Sequence, residues 1–266
     1  MEIRGGSQAI EERVAMPGLD VWVFSRPHEE ASTGGDVHYV SLCGGGILTR
    51  LIVADVSGHG EEVAEFSRTL RDMMRKHINT KSQTKLVRTL NRRFAAFADL
   101  RRFATAVVAT YLATQRTLTI CNAGHPRPFL YRRSTATWSV LDRPEGEPGN
   151  LPLGLDDETA YRQFDITLDP GDLVLFYTDA LSEAADSSGT MIGESGLLAL
   201  LQGIDVSDFE PFGHALLDAL DLYRGRLPAD DDVTILALHH NATGPRPPKL
   251  PERLDVYAKF FGLKPV

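Results

Sequence analysis

The chain has 266 residues, of which 42% are hydrophobic and 24% are charged, and its formal net charge is −8. Such a composition is typical of a globular protein with a substantial core, and its negative charge disfavours binding to nucleic acid or to anionic membranes. Cys43 and Cys121 form no CxxC pair, and the sequence shows neither a signal peptide nor an apolar run that could span a bilayer. We therefore expect a cytoplasmic protein with no membrane segment and no nucleic-acid partner.

The first part of the chain predicts strands followed by two helices. Alternating and apolar runs predict strands at 20–25, 37–42 and 47–55, with a glycine-rich turn at 44–46. From residue 63 onward, the apolar residues recur every three or four positions instead. This spacing predicts two helices, at 63–77 and 83–98.

The rest of the chain predicts many strands, two more helices and a last strand. The strands are predicted near 103–113, 116–121, 128–132, 161–167, 172–177 and 233–239, and the helices near 194–202 and 209–224. Strands joined by tight turns favour antiparallel pairing, and paired helices favour layers outside a β core. The fold class predicted from these elements is an α+β sandwich.

One domain accounts for most of the chain. We interpret residues 20–240 as this domain and residues 1–19 as a lead-in to it. The prolines of 241–251 predict a linker, because proline continues neither strands nor helices, and a short helix is predicted within 252–264.

Four aspartates stand at the ends of apolar strands, beside a glycine, an alanine or a turn. They are Asp36, Asp55, Asp179 and Asp231. A single aspartate in such a place is usually a turn or cap residue. Four of them on strands that could meet in one sheet system would repel one another unless protons or cations intervened. Since no Cys/His cluster suits zinc, Mg²⁺ or Mn²⁺ is the expected partner.

Six short motifs stand out along the chain: GGD at 34–36, DVSGHG at 55–60, NAGHP at 122–126, LPLGL at 151–155, GDLVLFYTDALSEA at 171–184 and DDVT at 231–234. In this order, they resemble the stage II sporulation E (SpoIIE-like) branch of the metal-dependent phosphatases related to protein phosphatase 2C. The resemblance covers about Asp20 to His239. It implies a four-layer αββα sandwich of two mainly antiparallel sheets flanked by helix pairs.

The resemblance also implies a serine/threonine phosphoprotein phosphatase with two Mn²⁺ or Mg²⁺ ions. Asp55 matches the aspartate that bridges both ions, and the carbonyl of Val56 is a further ligand. Asp36, Asp179 and Asp231 match positions that bind one ion directly or through water, with Asp231 preferred over the adjacent Asp232. The reaction implied is attack on phosphorus by a metal-bridging hydroxide.

Histidines beside the motifs have narrower expected roles. His59 could protonate the departing serine oxygen as a general acid, or it could be a loop residue held by a neighbour. His125 in NAGHP is expected to pin a turn.

Two positions depart from the family pattern. Ala180 replaces the usual glycine after the TD aspartate, which matters only if that position needs a positive φ. Val37, His38 and Tyr39 stand where a second acidic residue is common, so an outer water contact is expected to be missing.

The same residues leave two alternatives open: a non-catalytic interaction module of this fold, and a hydrolase of a small phosphate ester. Retention of all four aspartates argues against the first. For the phosphoprotein phosphatase, the resemblance implies a phosphorylated regulatory protein as substrate, such as an anti-sigma-factor antagonist.

A regulatory partner is also predicted at helices 63–98, where basic residues cluster. These are Arg68, Arg71, Arg75, Lys76, Lys85, Arg88, Arg92 and Arg93. In a chain of net negative charge, such a cluster could attract an acidic partner, although a solvated helix face explains it as well.

Overall fold

A computed structural model of the chain describes residues 2–28, 31–43, 46–57, 61–77, 80, 82–97, 103–144 and 146–244. Within these residues, strands form two six-stranded antiparallel sheets. The first sheet has the order β1 (Glu2–Gly6), β4 (Asp36–Cys43), β5 (Leu48–Val56), β6 (Ala104–Leu112), β7 (Thr117–Ala123) and β10 (Phe164–Thr167). The second sheet has the order β2 (Ile10–Met16), β3 (Leu19–Arg26), β12 (Val233–His239), β11 (Leu173–Tyr177), β8 (Phe129–Arg132) and β9 (Thr137–Val140).

A pair of helices covers the outer face of each sheet. The helices are α1 (Glu61–His77) and α2 (Gln83–Phe97) on the first sheet, and α3 (Gly193–Gln202) and α4 (Phe209–Tyr223) on the second. The predicted α+β sandwich, with four layers in the order αββα, is confirmed. None of the helices in the described ranges has the length and hydropathy needed to cross a bilayer.

Strand β5 shows how the sequence builds three apolar layers. Leu51 and Val53 point into the core between the two sheets, whereas Ile52 and Ala54 point outward against α1 and α2. Since successive side chains of a strand alternate between its faces, a continuous apolar run such as LIVA is what a strand covered on both sides requires. The third layer lies between the second sheet and helices α3 and α4, where Trp22 is buried.

The structure differs from the sequence prediction at the edges of the sheets. Residues 2–16, interpreted as a lead-in, supply β1 and β2, which pair with β4 and β3. β2 alternates half-buried and exposed residues, so its apolar signal is weak although its backbone pairing is complete. β9, at Thr137–Val140, was not predicted at all. The predicted C-terminal helix within 252–264 lies outside the described residues.

Candidate metal centre

The first sheet brings two of the predicted aspartates side by side. Asp36 is the first residue of β4 and lies directly opposite Asp55, near the end of β5, in the antiparallel register. Directly opposed residues on one face have Cβ atoms about 5 Å apart, so the two carboxylates share a small volume. Asp36 is only 3% exposed, whereas Asp55 is half-buried.

The second sheet supplies the other two predicted aspartates from adjacent strand ends. Asp179 follows β11 and begins a 3₁₀ turn, Asp179–Leu181, and Asp231 lies two residues before β12. Strands β11 and β12 pair with each other, which places these two ends together. Asp231 is exposed and Asp179 is half-buried.

Thr178 connects the two halves of the site. Its hydroxyl donates a hydrogen bond to Oδ2 of Asp36 at 2.8 Å, which crosses from the second sheet to the first. The Thr178 hydroxyl oxygen also accepts a hydrogen bond from the backbone N–H of Thr234 at 3.0 Å. This buried threonine therefore fixes Asp36 relative to the ends of β11 and β12.

The carboxylates strongly perturb one another. Burial, and then Asp179, Asp231, Asp232 and Glu183 in decreasing order, raises the pKa of Asp55 to about 7. The pKa of Asp179 is also raised, by burial and then by Glu183 and Asp231.

Asp36 is shifted in the same direction. Its pKa lies well above the usual range because the side chain is buried and because Asp55 and Asp232 are close. Carboxylates that repel one another in this way would be stabilised by a bound cation.

Hard divalent cations fit this set of donors. Carboxylate oxygens dominate the site, and Mg²⁺ and Mn²⁺ prefer oxygen ligands. Within the described part of the chain, no three His, Cys, Asp or Glu side chains are already gathered as a metal-binding group. The Val56 carbonyl oxygen lies beside the GGD loop, 3.2 Å from where a Cβ on Gly35 would stand.

The structure shows the surroundings of Ala180 and His38, which lie at the two positions that depart from the family pattern. Ala180 is buried in the 3₁₀ turn, and its φ is not positive, so alanine is accommodated there. His38 is fully buried on β4, and burial lowers its pKa to about 4. The imidazole is therefore neutral at pH 7.

The histidine predictions have different outcomes. His59 lies outside the described residues, so its role as general acid remains a prediction. In the NAGHP turn, the Asn122 side chain accepts a hydrogen bond from the His125 N–H and donates one to the His125 carbonyl, both at 2.8 Å. The His125 ring bonds through Nδ1 to the hydroxyl of Thr105 at 2.8 Å, and Thr105 lies opposite Asp55 on β6.

Sequence reasoning missed two contributors to the site, Thr178 and Glu183. Glu183 lies four residues after Asp179, and its N–H donates to the Asp179 carbonyl at 2.8 Å, so it lies one turn beyond the aspartate. Both residues fall inside the motif at 171–184. Their i−1 and i+4 spacing from Asp179 was the available signal.

Comparisons with known proteins find a matching family model and a related phosphatase. The family model for stage II sporulation protein E (SpoIIE) matches residues 47–241. The chain is 27% identical over 172 residues to phosphoserine phosphatase RsbU of Bacillus subtilis, and the match covers 64% of this chain and 49% of RsbU. The chain thus spans about half the length of that relative.

Two solved structures extend the comparison. The RsbU and RsbW domains of Rv1364c from Mycobacterium tuberculosis match with a TM-score of 0.75 and 26% identity, covering 90% of this chain and 64% of that one. RsbX in complex with magnesium matches with a TM-score of 0.64 and 17% identity, covering 86% of this chain and 99% of RsbX. The RsbX match shows a common fold.

Proposed function

Because the chain belongs to the stage II sporulation protein E (SpoIIE) family, we propose that it is a metal-dependent phosphatase of phosphoserine or phosphothreonine in a regulatory protein. The observation that carries this proposal is that Asp36 from the first sheet, and Asp179 and Asp231 from the second, lie close enough to Asp55 to repel it. The family relative named as a phosphoserine phosphatase supports the choice of substrate.

The four aspartates and the Val56 carbonyl would hold the metal, with Asp55 between the two ions. Bound Mg²⁺ or Mn²⁺ supplies Lewis acidity for the phosphoryl oxygens and lowers the pKa of a bound water. Thr178 keeps Asp36 in place by its hydrogen bond, and His59 is proposed to protonate the leaving oxygen. No side-chain nucleophile is needed for this chemistry.

The direct test is phosphate release from a phosphoserine protein by the purified chain. We expect activity with added Mn²⁺ or Mg²⁺, none in EDTA, and a loss of about a thousandfold or more in Asp55→Asn, because a neutral amide cannot balance two cations. Asp230→Asn, one position before the proposed ligand, is the matched control and should keep full activity. Turnover within about tenfold of wild type in Asp55→Asn would refute the bridging role.

The substrate class needs a separate comparison. Phosphoserine protein and free small phosphate esters should be assayed at equal metal concentration. A kcat/KM at least about tenfold higher for the phosphoprotein supports the proposal, since contacts beyond the phosphate then contribute. Higher values for the free esters would favour the small-ester alternative. We propose a regulatory protein of the anti-sigma-factor antagonist type as the substrate. We also propose that the protein acts in the cytoplasm.

A regulatory partner is proposed at the exposed faces of α1 and α2. The exposed basic side chains there include Arg68, Arg88 and Arg93. Helix α1 also touches the metal centre, because the buried Ser67 hydroxyl donates to the Gly35 carbonyl at 2.9 Å. A shift of α1 on binding an acidic partner would therefore move the GGD loop, so partner binding and metal affinity would be coupled in both directions.

This coupling can be tested by charge reversal. Arg68→Glu combined with Arg88→Glu should weaken activation by an acidic partner and leave the metal-saturated basal rate unchanged. Arg133→Glu, an exposed reversal at the β8–β9 turn of the other sheet, is the control. If basal turnover at saturating Mn²⁺ already equals the fastest rate seen with cell extract, the regulatory proposal fails.

A further inference from the structure

Asp232 follows the proposed ligand Asp231, yet its carboxylate is turned toward the loop between β3 and β4. Oδ1 accepts a hydrogen bond from the backbone N–H of His28 at 2.6 Å. Oδ2 accepts hydrogen bonds from the backbone N–H groups of Gly35 and, at 3.4 Å, Asp36. One side chain from the second sheet thus holds both ends of a loop that belongs to the first.

The glycines of GGD are explained by this arrangement. A Cβ on Gly34 would stand 2.2 Å from Oδ2 of Asp232, which is far inside van der Waals contact. A Cβ on Gly35 would stand 3.2 Å from the Val56 carbonyl oxygen. The absence of side chains at these two positions therefore lets the loop backbone approach Asp232 on one side and the metal centre on the other.

Asp231 is placed differently. Its side chain is exposed, and Oδ1 accepts a hydrogen bond from the N–H of Asp232 at 2.7 Å. A carboxylate has about four acceptor positions, and three of those on Asp232 are taken by backbone amides. One position remains, so a metal bound by Asp232 would share its carboxylate with the loop that carries Asp36.

We propose that Asp232 is a positioning residue that clamps the β3–β4 loop, and so holds Asp36 against the ligands of the second sheet, while Asp231 coordinates the metal. This inference rests on the metal-dependent function proposed above. It adds a separate role for Asp232, whereas the sequence resemblance only preferred Asp231 as the ligand.

The test compares Asp232→Asn, Asp231→Asn and the exposed neighbour Asp230→Asn, with two readouts on each. Amide hydrogen exchange of the metal-free protein reports the clamp, and calorimetric titration with Mn²⁺ reports ligation. In Asp232→Asn, exchange at Gly35 and Asp36 should rise by about tenfold or more, as expected from losing a hydrogen bond to a charged acceptor. Its Kd for Mn²⁺ should rise by less than about tenfold, because the ligands themselves remain.

Asp231→Asn should give the opposite pattern, with wild-type exchange in the loop and a Kd for Mn²⁺ raised by more than about tenfold. Gly34→Ala offers a second route, since its methyl group would displace the Asp232 carboxylate while leaving every acidic residue in place. It should reproduce the exchange change of Asp232→Asn. Asp230→Asn should change neither readout.

Two results would overturn the proposal: unchanged loop exchange in Asp232→Asn, or a greater loss of Mn²⁺ affinity there than in Asp231→Asn. If the wild-type protein binds no Mn²⁺ at millimolar concentration, the metal-dependent function itself is wrong. In that case the exchange measurements still decide whether Asp232 clamps the loop.

Discussion

At Asp55, the protein places a negative charge where burial and neighbouring carboxylates oppose it. The pKa of Asp55 is raised to about 7, whereas an unfolded aspartate titrates near about 4. Between these values the folded state keeps a proton that the unfolded chain has lost. The Asp55 contribution to the stability of the metal-free protein therefore falls as the pH rises from about 4 to about 7.

We predict that Asp55→Asn removes this part of the pH dependence. Buried His38 and His125, with pKa values lowered to about 4 and about 3, act with the opposite sign because only their unfolded forms bind a proton in this range. The useful quantity is therefore the difference in Tm between variant and wild type in EDTA. It should increase from pH 5 to pH 8 and reach about 5 °C or more in favour of the variant.

Asp230→Asn controls for the loss of one negative charge, since Asp230 is exposed. Its difference from wild type should stay flat over the same range. A flat difference in Asp55→Asn as well would show that Asp55 is ionised in the metal-free fold.

The four aspartates could be singled out from the sequence because each lies at or near one end of an apolar strand, where local pattern and chemistry coincide. Thr178 and Glu183 could not be distinguished in this way. Their spacing from Asp179 was a signal, but their interactions with Asp36 and Asp55 depend on how the two sheets pack. The choice between Asp231 and Asp232 likewise depends on which way each carboxylate turns, and the backbone amides of a distant loop determine that.

Among the elements, the central strands and the four helices were predicted, and their ends were correct to within a few residues. The edge strands β1, β2 and β9 were not, since an edge strand is held by backbone hydrogen bonds on one side and needs little apolar patterning. Residues 2–16 are therefore part of the sandwich, because they extend both sheets.

Helix α4 gives a prediction about packing. Gly213 faces the second sheet, and a Cβ there would stand 2.6 Å from the ring of Trp22. Trp22 is 1% exposed and stacks on Phe24 with ring centroids 5.6 Å apart, so the indole has little room to move. We predict that Gly213→Ala lowers stability by about 1–2 kcal/mol, because overpacking outweighs the better helix propensity of alanine.

Thermal denaturation tests this expectation, with a fall in Tm of about 2–8 °C for a domain of this size. Gly203→Ala, at the C-cap of α3, is the matched control. Its φ is −87°, and the nearest atom to an added Cβ is a carbonyl oxygen at 3.4 Å. Its Tm should be unchanged or slightly higher. A Gly213→Ala protein as stable as this control would mean that α4 can shift away from the sheet.

For the whole molecule, a metal held by the four aspartates as proposed would link the two sheets. Asp36 and Asp55 come from the first sheet, and Asp179 and Asp231 come from the ends of strands in the second. In the metal-free fold, these groups repel one another across the sandwich, and the Thr178 hydrogen bond to Asp36 opposes that repulsion. Bound cations would reverse the sign of the interaction, so we expect metal binding to stabilise the entire fold.

The last prediction follows from this linkage. A ligand at about 100 times its Kd adds about 2.7 kcal/mol of stability, which corresponds to a rise in Tm of about 5–10 °C here. We expect Mn²⁺ to produce such a rise at pH 8 and a smaller one at pH 6, since protons compete for Asp55 below about pH 7. Asp55→Asn should lose most of the rise, whereas Asp230→Asn should keep it. An equal rise in Asp55→Asn and wild type would place the stabilising Mn²⁺ somewhere other than between the sheets.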